Sequence, residues 1–123
     1  MYEIFTQVSF SAAHHLVDYD GNCSQIHGHN WEVTVFVQAH KLSRAGMAVD
    51  LRKLRRQTYD TLQALDHTDL NEHPAFAVDN PTCENIAYYL YHELASVFNN
   101  NDHRLSCVQV TEGSNSGAKY WEE

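Results

Sequence analysis

The stretch Cys23-Ser24-Gln25-Ile26-His27-Gly28-His29-Asn30-Trp31-Glu32-Val33-Thr34-Val35-Phe36-Val37-Gln38-Ala39 decides the fold. From Trp31 the odd positions read Trp31, Val33, Val35, Val37 and Ala39, against Glu32, Thr34, Phe36, Gln38 and His40, the period-two pattern of a strand with one buried face. Successive strand side chains alternate faces, so His27 and His29 share the apolar parity and extend the core-facing row if no bulge intervenes. Upstream, Ala12-Ala13-His14-His15 offers a third imidazole, and spacing alone does not choose between His14 and His15. Three nitrogen ligands hold Zn2+ at about 2.0–2.1 Å and leave a fourth position open, whereas structural sites close with four protein ligands. The pattern therefore points to an open, chemically competent zinc site.

Outward from this strand, the even positions Tyr2, Ile4, Thr6, Val8 and Phe10 predict an earlier strand over residues 2–10, with Phe5 the exception on its polar face. Residues 16–25, with Asp18, Asp20, Gly21 and Asn22, read as a loop that carries Cys23 to the strand start. Asp50 can cap a helix with Leu51, Leu54, Leu62 and Leu65 at helical spacing and Asp66-His67 at its end. After a loop over residues 68–80, Asn80-Pro81-Thr82 reads as a helix start with Pro81 at the first helical position. The buried stripe of that second helix is Ile86, Ala87, Leu90, Leu94, Val97 and Phe98, and Asn99-Asn100-Asn101-Asp102 stops it. Residues 105–111 predict a third strand, Gly113 to Gly117 a turn, and residues 118–121 a last strand. The order is ββααββ, an α+β arrangement with two helices on one face of a four-stranded antiparallel sheet. The opposite face stays partly apolar and is expected to meet another subunit.

At 123 residues the chain is expected to be one domain, residues 1–123, with no linker or repeat dividing it. Eight Lys and Arg against 16 Asp and Glu give a formal charge of −8, which supplies no basic field for a nucleic-acid backbone or a membrane surface. No apolar run approaches the roughly 18 residues of a membrane span, and Met1-Tyr2-Glu3-Ile4 opens no secretory leader, so a cytoplasmic location is expected. Cys23, Cys83 and Cys107 are an odd, scattered set that fits reduced thiols.

An isolated histidine is usually a surface or satisfied core residue, and His40, His73, His92 and His103 are read that way. Cys23 lies in a polar loop beside the histidine set, where a dication or imidazolium would favour a thiolate able to act as base or nucleophile; the alternative is a small buried hydrophobe. Asp66-His67 is either a helix end favoured by the helix dipole or a carboxylate–imidazole acid/base unit. Glu112, at the junction of strand and turn, is equally a solvated strand-end charge or a carboxylate for a ligand's amino and ring N–H groups. The chain has no His-Glu-x-x-His, so the zincin type of hydrolase is disfavoured.

Assembled, these residues resemble the 6-pyruvoyltetrahydropterin synthase / 6-carboxytetrahydropterin synthase family nearly end to end. The matching motifs are Phe10-Ser11-Ala12-Ala13-His14, Cys23-x-x-x-His27-Gly28-His29, Gly46-Met47-Ala48-Val49-Asp50-Leu51, Leu65-Asp66-His67 with Leu70-Asn71, Asn80-Pro81-Thr82-Cys83-Glu84-Asn85, and Val110-Thr111-Glu112. The resemblance implies the tunnelling fold, whose ββααββ subunits form trimers that stack in pairs as a homohexamer, with active sites at subunit interfaces. It implies zinc on His14, His27 and His29, with His14 chosen over His15 because the ligand follows Ala-Ala directly. It further implies Cys23 as base, Asp66 and His67 as a proton-shuttling pair from a neighbouring subunit, Glu112 as anchor of a pterin ring, and Thr82 near the same pocket. The spacing of Cys23 before His27 looks like that of the bacterial 6-carboxy-5,6,7,8-tetrahydropterin synthases. Those enzymes convert 7,8-dihydroneopterin triphosphate to 6-carboxytetrahydropterin, acetaldehyde and triphosphate in queuosine biosynthesis. The alternatives are 6-pyruvoyltetrahydropterin synthase, which eliminates triphosphate without breaking a carbon–carbon bond, and a non-enzymatic zinc-binding oligomer. Two positions depart from the family pattern: His15 stands where arginine is usual, and Cys83 where serine or threonine is. Lys119 and Arg104 are candidate triphosphate contacts.

Overall fold

The computed structural model describes residues 1–123, apart from the side chain of Asn22. The elements are β1 (Tyr2–His14), β2 (His27–Ala39), α1 (Leu51–Leu62), β3 (Thr68–Asp69), α2 (Cys83–Phe98), β4 (His103–Glu112) and β5 (Ser116–Tyr120), with short 3-10 turns at Asn22–Ser24, Leu70–Glu72 and Pro74–Phe76. The sheet order is β3-β1-β2-β4-β5. Strands β1, β2, β4 and β5 pair antiparallel, whereas β3 runs parallel to β1 through Ala12–Thr68 and Ala13–Asp69.

The sheet is thus five-stranded and mixed, which corrects the four-stranded antiparallel expectation. Two residues cannot display a period-two pattern, so β3 has no signature in the sequence. It forms because the chain leaving α1 bonds directly to the β1 edge: the His67 N–H donates to the Ser11 carbonyl at 2.6 Å and the Ser11 N–H to Asp66 Oδ1 at 2.9 Å. The predicted loop over residues 68–80 accordingly contains β3 and two of the 3-10 turns.

The long strands β1 and β2 pair from Tyr2–Ala39 to His14–His27 with no bulge between them. Both run further than their apolar patterns predicted, because backbone pairing continues through the histidines themselves. Val8, Phe10, Ala12, Trp31, Val33, Val35 and Val37 are buried on one face. Against that face α1 lies over β1, and α2 over β4 and β5. Leu54, Leu62 and Leu65 from the α1 segment and Ile86, Ala87, Leu90, Tyr91, Leu94 and Phe98 from α2 complete one hydrophobic cluster. Removing such area from water contributes about 25 cal/mol per Å2, so the helices are held on the sheet mainly by this seam. Two expected core positions, Leu51 and Val97, are exposed instead. Thr58 takes a core place, its hydroxyl satisfied by donating to the Leu54 carbonyl at 2.8 Å.

Pro81 is not the first helical residue. The cap of α2 is Thr82, whose hydroxyl oxygen accepts from the Asn85 N–H at 3.2 Å, and the helix begins at Cys83. Asp50 caps α1 as expected, accepting from the Arg52 N–H at 2.9 Å. The β4–β5 connection narrows to residues 113–115, with Gly113 at φ 69°, a left-handed conformation that glycine adopts without cost. The register shift between Phe36 and Val37 gives β4 one extra residue, Ser106, whose hydroxyl donates to Glu3 Oε2 at 2.7 Å.

Candidate metal centre

Because β1 and β2 pair in register, His14 lies opposite His27 and Ala12 opposite His29, which brings three imidazoles to one end of the buried sheet face. Their ligand nitrogens all lie within 4.8 Å of one another. Trp31 forms the floor, its ring edge-on to His14 at 4.7 Å and to His29 at 5.2 Å, while its indole N–H donates to the Ala12 carbonyl at 3.2 Å. The sequence placed Trp31 in the core but did not reveal that it supports the imidazoles; its shared parity with His27 and His29 was the available signal.

Two rings are oriented by backbone carbonyls. His14 Nδ1–H donates to the Pro81 carbonyl at 2.8 Å and His27 Nδ1–H to the Gln25 carbonyl at 2.7 Å. Such bonds fix the tautomer and leave Nε2 with a free lone pair, the usual outer-shell arrangement of a histidine ligand. Pro81 therefore does its work through its oxygen, just before the α2 cap. Sequence reading missed this, because a backbone acceptor carries no residue-type signal.

His14 is 2% exposed. Burial pushes its pKa below the ordinary imidazole value; the Pro81 bond and Glu112 oppose the shift, and His27 and His29 add to it. It is thus held neutral, the form that binds a metal. His14 Nε2 and His29 Nε2 are both buried and lack any hydrogen-bond partner. Buried polar atoms without partners are rare and costly, and two aimed into one gap with a third imidazole nitrogen fit a cation. Neutral nitrogen donors of this kind suit zinc among the common divalent ions. The residues present fit the metal that the sequence predicts.

The remaining predicted residues divide. Glu112 lies in register with Trp31 across β2–β4 and turns its carboxylate toward the histidines: Oε1 is 3.9 Å from His14 Nε2 and Oε2 is 3.7 Å from His29 Nε2. Cys23, half-buried in the 3-10 turn before β2, does not join the group of ligand atoms; its carbonyl accepts from the Leu16 N–H at 2.8 Å. Thr82 serves as the α2 cap next to Pro81. Asp66 and His67 pair with each other, Oδ2 to Nδ1 at 3.0 Å, and bond to Ser11 on the β1 edge; none of these bonds reaches the three histidines. Donation from the Ser11 N–H, with His67 assisting, holds the Asp66 carboxyl below its ordinary range. His67 sits at φ 58°, left-handed for a non-glycine residue, with its side chain 82% exposed.

The loop leaving β1 is pinned by two asparagines that imitate strand pairing. Asn71 accepts from the His15 N–H at 2.9 Å and donates to its carbonyl at 3.0 Å; Asn80 accepts from the Val17 N–H and donates to its carbonyl, each at 2.8 Å. Cys83, buried behind the site, has its thiol pushed up to about 12 by burial first and by the charges of Glu112 and Glu84, so it packs as an inert thiol. A cleft of about 470 Å3 on the flank of α2, with Asp79, Tyr88 and Glu93 in its wall, includes none of these site residues.

A strand-borne set of three imidazoles, backed by tryptophan and faced by a carboxylate, defines a candidate mononuclear metal centre on an α+β fold. The chain belongs to the 6-pyruvoyl tetrahydropterin synthase family, whose model matches residues 3–123. It is 31% identical to the 6-carboxy-5,6,7,8-tetrahydropterin synthase of Synechocystis sp., over 98% of this chain and 94% of that one. To the enzyme of the same name from Bacillus subtilis it is 30% identical, over 89% of this chain and 76% of the relative. The Caenorhabditis elegans 6-pyruvoyl tetrahydropterin synthase superposes with a TM-score of 0.86 at 29% identity, covering 99% of this chain and 96% of the other. Among the described residues, no helix is long and apolar enough to cross a membrane.

Proposed function

We propose that this chain is a zinc-dependent 6-carboxy-5,6,7,8-tetrahydropterin synthase, a lyase that takes 7,8-dihydroneopterin triphosphate and water to 6-carboxytetrahydropterin, acetaldehyde and triphosphate. The observation that carries the reading is the pair of buried, partnerless Nε2 atoms of His14 and His29 facing a shared gap with His27. When bound there, zinc supplies Lewis acidity that makes protons of a coordinated hydroxylated side chain easier to remove. His14, His27 and His29 hold it, with Pro81 and Gln25 fixing two of the rings. Cys23, on the turn leading into β2, is the base that takes the substrate's side-chain proton. Glu112 accepts the amino and ring N–H groups of the pterin, and Thr82 lies beside the same pocket. Asp66 and His67 carry protons to and from the leaving fragment.

That pair acts on a neighbouring subunit's site in this proposal. In support, its own bonds run to the β1 edge and not to the histidines of the same chain. A homohexamer built as two stacked trimers would bring the two together and would cover the sheet face that carries Phe5, 63% exposed and 5.9 Å ring to ring from Phe36. The preference for the carboxy product rests on the position of Cys23 four residues before His27 and on relatives of that name. The structural likeness to a 6-pyruvoyl enzyme favours the second reading, elimination of triphosphate with no carbon–carbon cleavage.

Incubation of the zinc-loaded protein with 7,8-dihydroneopterin triphosphate tests this directly. Acetaldehyde and 6-carboxytetrahydropterin are the expected products. Accumulation of pyruvoyltetrahydropterin without acetaldehyde would replace the first reading with the second, and turnover that survives Cys23→Ala would remove Cys23 as base.

A further inference from the structure

The carboxylate of Glu112 faces the metal gap. Both of its oxygens turn to the imidazoles, 3.9 Å from His14 Nε2 and 3.7 Å from His29 Nε2. These separations exceed a hydrogen bond. The two nitrogens have no other partner and His14 is buried, so the carboxylate and the imidazoles surround a space without bonding across it. Two ligands about 2.0–2.1 Å from one tetrahedral zinc stand roughly 3.3 Å apart; the two gaps, each to a different oxygen of the carboxylate, exceed that by about half an ångström.

The backbone is placed for this and fixed. Glu112 is in register with Trp31, two residues from His29 on the adjacent strand, and the next residue, Gly113, donates its N–H to the Asn30 carbonyl at 3.1 Å. The Glu112 side chain is 37% exposed, and desolvating it against the imidazoles is repaid by a dication.

We infer that Glu112 closes the metal site as a fourth ligand when no pterin is bound, and releases the metal when the ring arrives. This rests on the metal reading above and adds to it. One carboxylate cannot hold both, so arrival of the ring and opening of the fourth position become one event. The free protein is thereby protected from binding other ligands at an open cation. By reciprocity, metal and ring then compete for the same group, and each weakens the other through it.

The test uses metal alone. Zinc is titrated into apo wild type, Glu112→Gln and Glu112→Asp against a chromophoric chelator, and the visible absorption of each Co2+-substituted protein is recorded. The expected result is a zinc affinity about tenfold or more lower in Glu112→Gln, partly restored in Glu112→Asp, with cobalt bands in Glu112→Gln that differ from wild type. Metal-free thermal melts, expected to agree across the variants, separate this loss from a folding defect. Unchanged affinity, or reduced affinity with unchanged cobalt bands, overturns ligation by Glu112 while leaving the three-histidine site intact. A wild type that takes up no zinc overturns the metal reading itself, and the product assay judges the reaction independently of both.

Discussion

His67 is held in a backbone conformation that a non-glycine residue seldom adopts. A left-handed backbone costs a non-glycine residue roughly 1–2 kcal/mol, and His67 holds φ 58° because its N–H bonds to Ser11 while Asp66 grips the Ser11 N–H from the other side. His67→Gly removes that strain at the expense of greater chain entropy of about 0.5–1 kcal/mol. Denaturant unfolding should therefore show a stability within about 1 kcal/mol of wild type, while turnover of 7,8-dihydroneopterin triphosphate is lost. Equal turnover would make the residue a turn former only. Asp66 gives a pH signature. Its folded pKa lies below the ordinary carboxylate value of 3.8, so the unfolded chain takes up the proton first as pH falls. The contribution of the charged group is then complete above that value and disappears as pH drops through the folded pKa. In chemical denaturation from pH 7 to pH 2, the stability gap between wild type and Asp66→Asn should be widest at the upper end and vanish at the lower; a gap constant with pH would sink this assignment.

At the scale of elements, the α2 cap and the β4–β5 hairpin hold two walls of the site. Thr82→Ala removes the acceptor for the Asn85 N–H and should lower stability by about 1 kcal/mol, with Thr82→Ser restoring most of it in thermal melts. Because Pro81 immediately precedes that cap and orients His14, zinc affinity should fall in the same variant. Gly117 packs where a Cβ would stand 2.2 Å from the Val110 carbonyl oxygen and 2.7 Å from Thr111 Cγ2. Gly117→Ala should cost about 2 kcal/mol and loosen the β4–β5 pairing beside Glu112, seen as faster amide exchange over residues 108–120; native protection there would refute it. These elements differ in how far the sequence announced them. Strand β2 was legible because Trp31, Val33, Val35 and Val37 repeat with the pleat, and α2 because Ile86, Leu90 and Leu94 follow the helical turn. Strand β3 was not, since two residues have no period. Val97 fits the helical stripe but is exposed in the last turn of α2, one residue before its end.

For the whole molecule, the proposed assembly makes the exposed Phe5–Phe36 face a subunit contact. Phe5→Asp should reduce the mass seen by sedimentation and abolish turnover, yet leave zinc binding, which is built within one chain, close to wild type. A full-sized assembly in that variant would place the interface elsewhere. What the sequence determined by itself is the alternation that makes β1 and β2, the stripes that lay the helices on them, and the histidines at shared parity: local periodicities, readable because burial acts on every second or every third to fourth residue. Only the tertiary structure decided which atoms meet. It joined the β1 edge to Asp66 and His67, set the Pro81 carbonyl under His14, and turned both oxygens of Glu112 toward His14 and His29. Those contacts link positions far apart in the chain through backbone groups and charges that follow no repeat, so they exist only once the register and the packing are set.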